Sequence, residues 1–235
     1  CFFAHRFFFF FERPMMHGSI LWQNSLAPTK SPHSTDRISI PEGSYAQLSL
    51  PSGIHTQMPV SLSLPDHLAP DLTIVFVGIN PGLRSAEVGH HYAGHSNRFW
   101  KLLSDAALVP EPLTYRDDER LPEWGLGLTN LVARPTAGID GLTAEDYAAG
   151  RLALIGKIHR YRPRVVALLG ITLYPVLFPL EPKQRGRKPG LQSVTIYDSR
   201  IVLLPNPSGR NAAYPYHSLL NAFRTLTPWA RTFPK

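Results

Sequence analysis

The chain has 235 residues and a mass of 26.3 kDa, with 24 Lys+Arg against 17 Asp+Glu and a formal charge of +7. At 43% hydrophobic residues it can bury a core, yet it holds no uninterrupted apolar run of the roughly 18 residues that a helical membrane span needs. Fibrous, wholly disordered and helix-spanned membrane classes are thereby excluded, and its one cysteine, Cys1, rules out an internal disulfide, a cysteine zinc site or an iron–sulfur cluster.

Taken in chain order, the first feature is the Phe-rich run Cys1–Phe11, which carries seven of the 12 Phe. It is too short to span a bilayer, and Glu12, Arg13 and Pro14 follow it where a signal peptide would place small residues. Residues 1–14 are therefore expected to stem from a fragment or a faulty gene model, with Met15 or Met16 as the true start. From His17 to about Pro70 the sequence is rich in Ser, Pro, Thr and His without a sustained period of 2 or 3.6. The expectation is a disordered arm over 1–70 and one folded domain over 71–235.

Order begins with Leu72–Val77, a β-branched and aromatic run that reads as a buried strand breaking into the turn Gly78-Ile-Asn-Pro-Gly82. Ser96 before Phe99, Trp100, Leu102 and Leu103 predicts a capped helix over about 97–108. Leu126–Val132 reads as a second strand. Thr143 with Asp146 three residues on resembles a capping box, which predicts a helix continuing to about Tyr161. Arg164–Leu169 is a third buried strand, followed by a short helix over 172–178. Ile201–Leu204 is a fourth, ending in Pro205-Asn-Pro-Ser-Gly209, and 216–226 reads as the last helix. Strands that alternate with helices, with little alternation inside each strand, predict an α/β sandwich around a mainly parallel sheet. Ligands of such sheets bind beyond the carboxyl ends of the strands, where both Gly78–Gly82 and Asn206–Gly209 fall.

Charge is unevenly spread: residues 1–70 carry 4 basic and 4 acidic side chains, 71–150 carry 6 and 11, and 151–235 carry 14 and 2. A last third with almost no carboxylates suits a phosphate backbone, or else a merely solubilising face. Taken alone, Gly78–Gly82 is either a plain turn or a functional loop. It lacks the G-x-G-x-x-G of dinucleotide folds and the G-K-[ST] of a P-loop, and no Ser sits in a G-x-S-x-G elbow. His90, His91 and His95 have no accompanying carboxylate or thiolate pattern, so no metal site is expected.

Four segments together resemble one family. Gly78-Ile-Asn-Pro-Gly-Leu83, Gly89-His-His-Tyr92 with Asn97-Arg-Phe-Trp100, Gly127-Leu-Thr-Asn130, and Asn206-Pro-Ser-Gly209 are similar, in order, to the mismatch-specific thymine/uracil DNA glycosylases of the uracil-DNA glycosylase superfamily. The resemblance covers about 71–227 and implies a three-layer α/β/α sandwich. It implies a monofunctional enzyme that flips a uracil, or a thymine, out of a G·U or G·T mismatch and hydrolyses the bond between base and sugar. Asn80 matches the catalytic asparagine. Ile79, His91, Tyr92, Asn97, Asn130 and Thr136 match the base pocket, with Tyr92 as the stacking ring, or core filler, and Asn130 as reader of the base edge.

Asn206, Pro207, Ser208, Gly209 and Arg210 match the loop that presses on the DNA backbone, with Arg210 as the candidate wedge. The animal enzymes place an Arg two residues further on, where this chain has Ala212. The resemblance further implies double-stranded DNA as partner, no cofactor, a monomer that hands on to downstream base-excision repair enzymes, no membrane and a nuclear location. Lys183-Gln-Arg-Gly-Arg-Lys188 reads as further phosphate contacts, a nuclear signal or a solvated loop. Two other classes are weighed against this one: a DNA-binding module without useful catalysis, which the intact Asn80 and Asn130 disfavour, and a nucleotide-binding α/β enzyme, which the missing phosphate loops disfavour.

Overall fold

Three strands are buried along their whole length: β1 (Ile74–Gly78), β2 (Leu126–Asn130) and β3 (Val165–Leu169). That is why β1 and β3 read as nearly unbroken apolar runs and why β2, with Thr129 and Asn130 at its end, shows no polar alternation either: helices cover both faces of the sheet. The computed structural model describes residues 63–179 and 188–231. The Phe-rich run, the arm up to residue 62 and the basic run 183–187 lie outside the described residues.

The sheet has five strands in the order β2-β1-β3-β5-β4, with β5 at Ser199–Leu204 and β4 at Gly190–Ile196. All neighbours pair in parallel except β4, which lies antiparallel on β5 at the edge. In β1, Ile74 and Phe76 point to one face, Val75 and Val77 to the other, and β3 and β5 alternate in the same way. The first face is covered by α2 (Phe99–Asp105) and α5 (Tyr216–Arg224), the second by α3 (Ala144–Tyr161) and α4 (Leu173–Leu177). The result is the expected three-layer α/β/α sandwich. Phe76, Phe99 and Phe223 are fully buried in mutual ring contact on the first face, each such burial contributing about 1.5–3 kcal/mol.

Several expectations are refined. The Thr143–Asp146 capping box is present and α3 runs to Tyr161. Ser96 does not cap α2: Asn97 Oδ1 accepts from the Phe99 amide at 3.0 Å, while Ser96 is packed against Gly209. Helix α1 (Leu83–Val88) and strand β4 were not foreseen. The folded chain also starts before residue 71. His67 pairs with Leu128 through two backbone hydrogen bonds, and Asp66 accepts from Thr129 Oγ1 at 2.6 Å and pairs with Lys157 at 2.6 Å. A polar stretch without period is pinned there by backbone pairing and ionic contacts that hydrophobic patterning does not register.

Candidate active site

The sheet order turns back between β1 and β3, so the crevice beyond their carboxyl ends is the natural place for a ligand in this fold. A cavity of about 750 Å³ lies there. Its wall includes Ile79, Asn80, His91, Tyr92, Asn97, Asn130, Thr136, Asn206, Ser208, Gly209 and Arg210, which brings every residue singled out from the sequence except Pro207 to one site.

Asn80 follows β1, and its side chain is oriented by three acceptors. Nδ2 donates to Thr136 Oγ1 at 2.7 Å and to the carbonyls of Pro81 and Arg134, each at 3.2 Å. Carbonyls accept only, so the NH2 group must face them and Oδ1 is the atom left over. Among the described residues Oδ1 has no partner, which makes it an acceptor in the cavity wall. The partner loop is itself fixed. Thr136 Oγ1 donates to Gly138 O at 2.7 Å, the Thr136 amide donates to Pro81 O at 3.1 Å, and the Arg134 guanidinium donates to Gly141 O at 2.8 Å and pairs with Asp146 at the start of α3. Arg134 and the Thr143 amide hold the Asp146 carboxyl at about 2. Thr136 thus touches Asn80 directly, a positioning contact as well as a place in the wall.

Tyr92 has left-handed backbone, at φ 54, and its ring stacks on Phe99 at 4.2 Å with an interplanar angle of 29°. The half-buried ring is both part of the aromatic core and part of the cavity wall. Its hydroxyl is buried without a hydrogen-bond partner, and burial holds the phenol well above its usual range. Asn130 ends β2 opposite Gly78, and its amide has no partner among the described residues. A side chain at Gly78 would collide with Asn130 Oδ1 and the Tyr92 hydroxyl, so this glycine keeps the floor open.

His91 is buried and serves the frame. Its Nε2 donates to Pro65 O at 2.8 Å, and its amide donates to Asp118 at 2.8 Å. Burial lowers the imidazole's affinity for a proton, only partly offset by the Pro65 contact. Asp118 is the hub of this corner: His90 Nδ1 donates to it at 2.9 Å and His67 Nε2 lies 3.3 Å away. Burial pushes the Asp118 carboxyl up, but the two imidazoles and the His91 amide outweigh it and hold the group at about 2. Sequence reasoning missed Asp118, which stands in the charged run Arg116-Asp-Asp-Glu-Arg120 with no motif around it.

The second wall is the loop after β5. Asn206 Oδ1 accepts from the Ser208 amide at 2.9 Å, and Asn211 Nδ2 donates to Asn206 O at 2.9 Å. A Cβ on Gly209 would stand 2.7 Å from Ser96 O, so only glycine allows this contact. Arg210 lies exposed across the mouth, with Nη1 donating to Ala137 O at 2.6 Å. Pro207 does not line the cavity; its carbonyl accepts from Arg98. Arg98 donates to four carbonyls of this loop in all, a function that went unread in the Asn97–Trp100 motif.

Fold, cavity and oriented amide together describe an α/β protein with a cavity beyond the carboxyl ends of its central strands, walled by the Tyr92 ring and by the amides of Asn80 and Asn130. The family model of the uracil DNA glycosylase superfamily matches residues 65–227, and the chain belongs to that superfamily. It is accordingly a DNA glycosylase in kind. Its match begins at residue 65, in agreement with the packed segment before β1. A solution NMR structure from Methanosarcina acetivorans, provisionally described as a uracil DNA glycosylase, aligns with a TM-score of 0.47 at 16% identity, over 71% of this chain and 98% of that one.

Proposed function

We propose that the protein is a monofunctional glycosylase that excises uracil, and thymine, opposite guanine in duplex DNA and so opens base-excision repair, acting in the nucleus as a monomer. The observation that carries this reading is the oriented Asn80 amide, whose donors are all engaged and whose Oδ1 faces a cavity shared with Tyr92 and Asn130.

The chemistry follows from those groups. The flipped base enters between Tyr92 and Asn130, whose free amide offers one donor and one acceptor to the imide edge. A water held by Asn80 Oδ1 attacks C1′ of the deoxyribose as the C1′–N1 bond breaks. The bond's electron pair leaves on the base, which later takes up a proton, and the water's proton passes to solvent. An amide is a very weak base, so little rate comes from proton removal and most from position and from donors that meet the developing anion. Turnover is therefore slow and depends steeply on how stable the departing base anion is. Bases with electron-withdrawing groups at C5 leave fastest.

Excision is best tested in single turnover on duplexes with G·U, G·T or A·U and on single-stranded uracil. Free uracil from G·U ahead of A·U supports the reading. Binding of every duplex with release of no base would reduce the chain to a DNA-binding module on an inherited fold.

A further inference from the structure

Arg98 stands where α2 begins, on the far side of the loop after β5. Its guanidinium donates from Nε to Pro207 O at 3.3 Å, from Nη1 to Tyr214 O at 3.2 Å, and from Nη2 to Ser208 O at 2.8 Å and Asn211 O at 3.1 Å. Its own amide donates to Pro207 O at 3.1 Å. Among the described residues no carboxylate pairs with it. Such a side chain spends its charge and its planar fork on backbone carbonyls more than a hundred residues away in sequence.

A trans peptide holds its C=O and the next N–H on opposite sides. The inward pull on Ser208 O therefore turns the Gly209 N–H away from Arg98, and that N–H has no partner among the described residues. Drawn in at four points, the loop leaves Gly209 and Arg210 exposed and Ser208 half-buried at the cavity mouth, with the Ser208 hydroxyl accepting from the Arg210 amide at 3.4 Å and Arg210 Nη1 donating to Ala137 O. Lysine has the charge but only a point donor, and it cannot reproduce a fork spread over four carbonyls.

We propose that Arg98 is the positioning residue that sets the Pro207–Tyr214 loop in its DNA-engaging shape, so that base flipping depends on it while bond cleavage does not. This rests on the functional reading above.

The test compares the full-length wild type with Arg98→Lys in single turnover, on a uracil stacked in a G·U duplex and on the same uracil in an unpaired loop of that duplex. For the stacked uracil, the half-saturating enzyme concentration is expected to rise and the maximal rate to fall by about tenfold or more each, as suits a displaced positioning element. For the looped uracil, which needs no extraction from the stack, the maximal rate is expected to stay within about threefold. Equal losses on both substrates, or no loss on either, would overturn the proposal.

Asn211→Ala, which removes the Asn206 tie but keeps the backbone carbonyl that Arg98 holds, is expected to show the same asymmetry on a smaller scale. Equal losses there would also count against it, even if the Arg98 variant failed to fold. If the wild type releases uracil from neither substrate, the functional reading has failed on its own. Arg98 is then judged on duplex binding, which Arg98→Lys must weaken by about tenfold for the proposal to stand.

Discussion

Two loops face each other across the cavity, and they are held in opposite ways. Gly78–Gly82, after β1, is fixed from close by: Asn80 donates to Pro81, Arg134 and Thr136, and the Thr136 amide returns a hydrogen bond to Pro81. The loop after β5, besides its internal Asn206–Ser208 and Asn206–Asn211 hydrogen bonds, is gripped from afar by one guanidinium at the start of α2 and by the tight packing of Gly209 on Ser96. The first arrangement pins one atom, the Asn80 amide oxygen, which chemistry needs to within a fraction of an ångström. The second pins the shape of a whole segment, as a surface that meets a polymer requires, and leaves Gly209 and Arg210 exposed at its tip.

If this contrast is right, damage to each loop should have its own signature. The largest effect is expected from Gly209→Ala, since the new Cβ meets backbone as well as side chain at Ser96 and the loop must shift. Duplex affinity should drop by about ten- to a hundredfold, measured by fluorescence anisotropy on uncut DNA, with the maximal excision rate on a looped uracil much less affected. Thr136→Val should do the reverse. Loss of the hydroxyl that accepts from Asn80 and donates to Gly138 O, each at 2.7 Å, is expected to slow excision by about tenfold, at unchanged affinity, in line with about 1–2 kcal/mol for lost part-buried hydrogen bonds. Equal effects on rate and affinity in both variants would erase the distinction between the loops.

The smallest effect concerns the frame. His91 is buried and neutral, with a folded proton affinity below its ordinary value. Below the unfolded-state pKa of about 6.5 the unfolded chain binds the proton more readily, so stability present above that pH is lost as pH falls. The depressed Asp118 carboxyl adds a further loss at lower pH, between its ordinary value of 3.8 and about 2. Thermal melts from about pH 8 to pH 5 should show the decline in the wild type and a flatter profile in His91→Asn. Parallel profiles would show that His91 does not carry it.

How much of this could be read from the sequence differs by element for physical reasons. β1, β3 and the Ile201–Leu204 part of β5 are legible because burial on both faces leaves apolar residues, β2 because its buried run lacks charge and alternation, and α3 because Thr143 and Asp146 mark its start. β4 is an edge strand with a register shift and one face to solvent, and Gln192, Ser193 and Thr195 gave it no apolar signal. Helix α1 has 6 residues directly after Pro81-Gly82, where the sequence reads as turn. In the site, the asparagines stood out because their motifs did. Arg98 could not be assigned a task, because its partners are backbone carbonyls, which carry no residue identity. Asp118 carries no signal of its own, because the histidines that enclose it, His67 and His90, come from segments far away in the chain.

The central claim is that the Asn80 amide oxygen serves cleavage and not binding. Wild-type and Asn80→Ala proteins, mixed in excess with the same G·U duplex, should bind it with affinities within about threefold of each other, while release of free uracil falls more than about a hundredfold in the variant. Near-normal release by Asn80→Ala, or loss of binding in parallel with loss of release, would contradict the account.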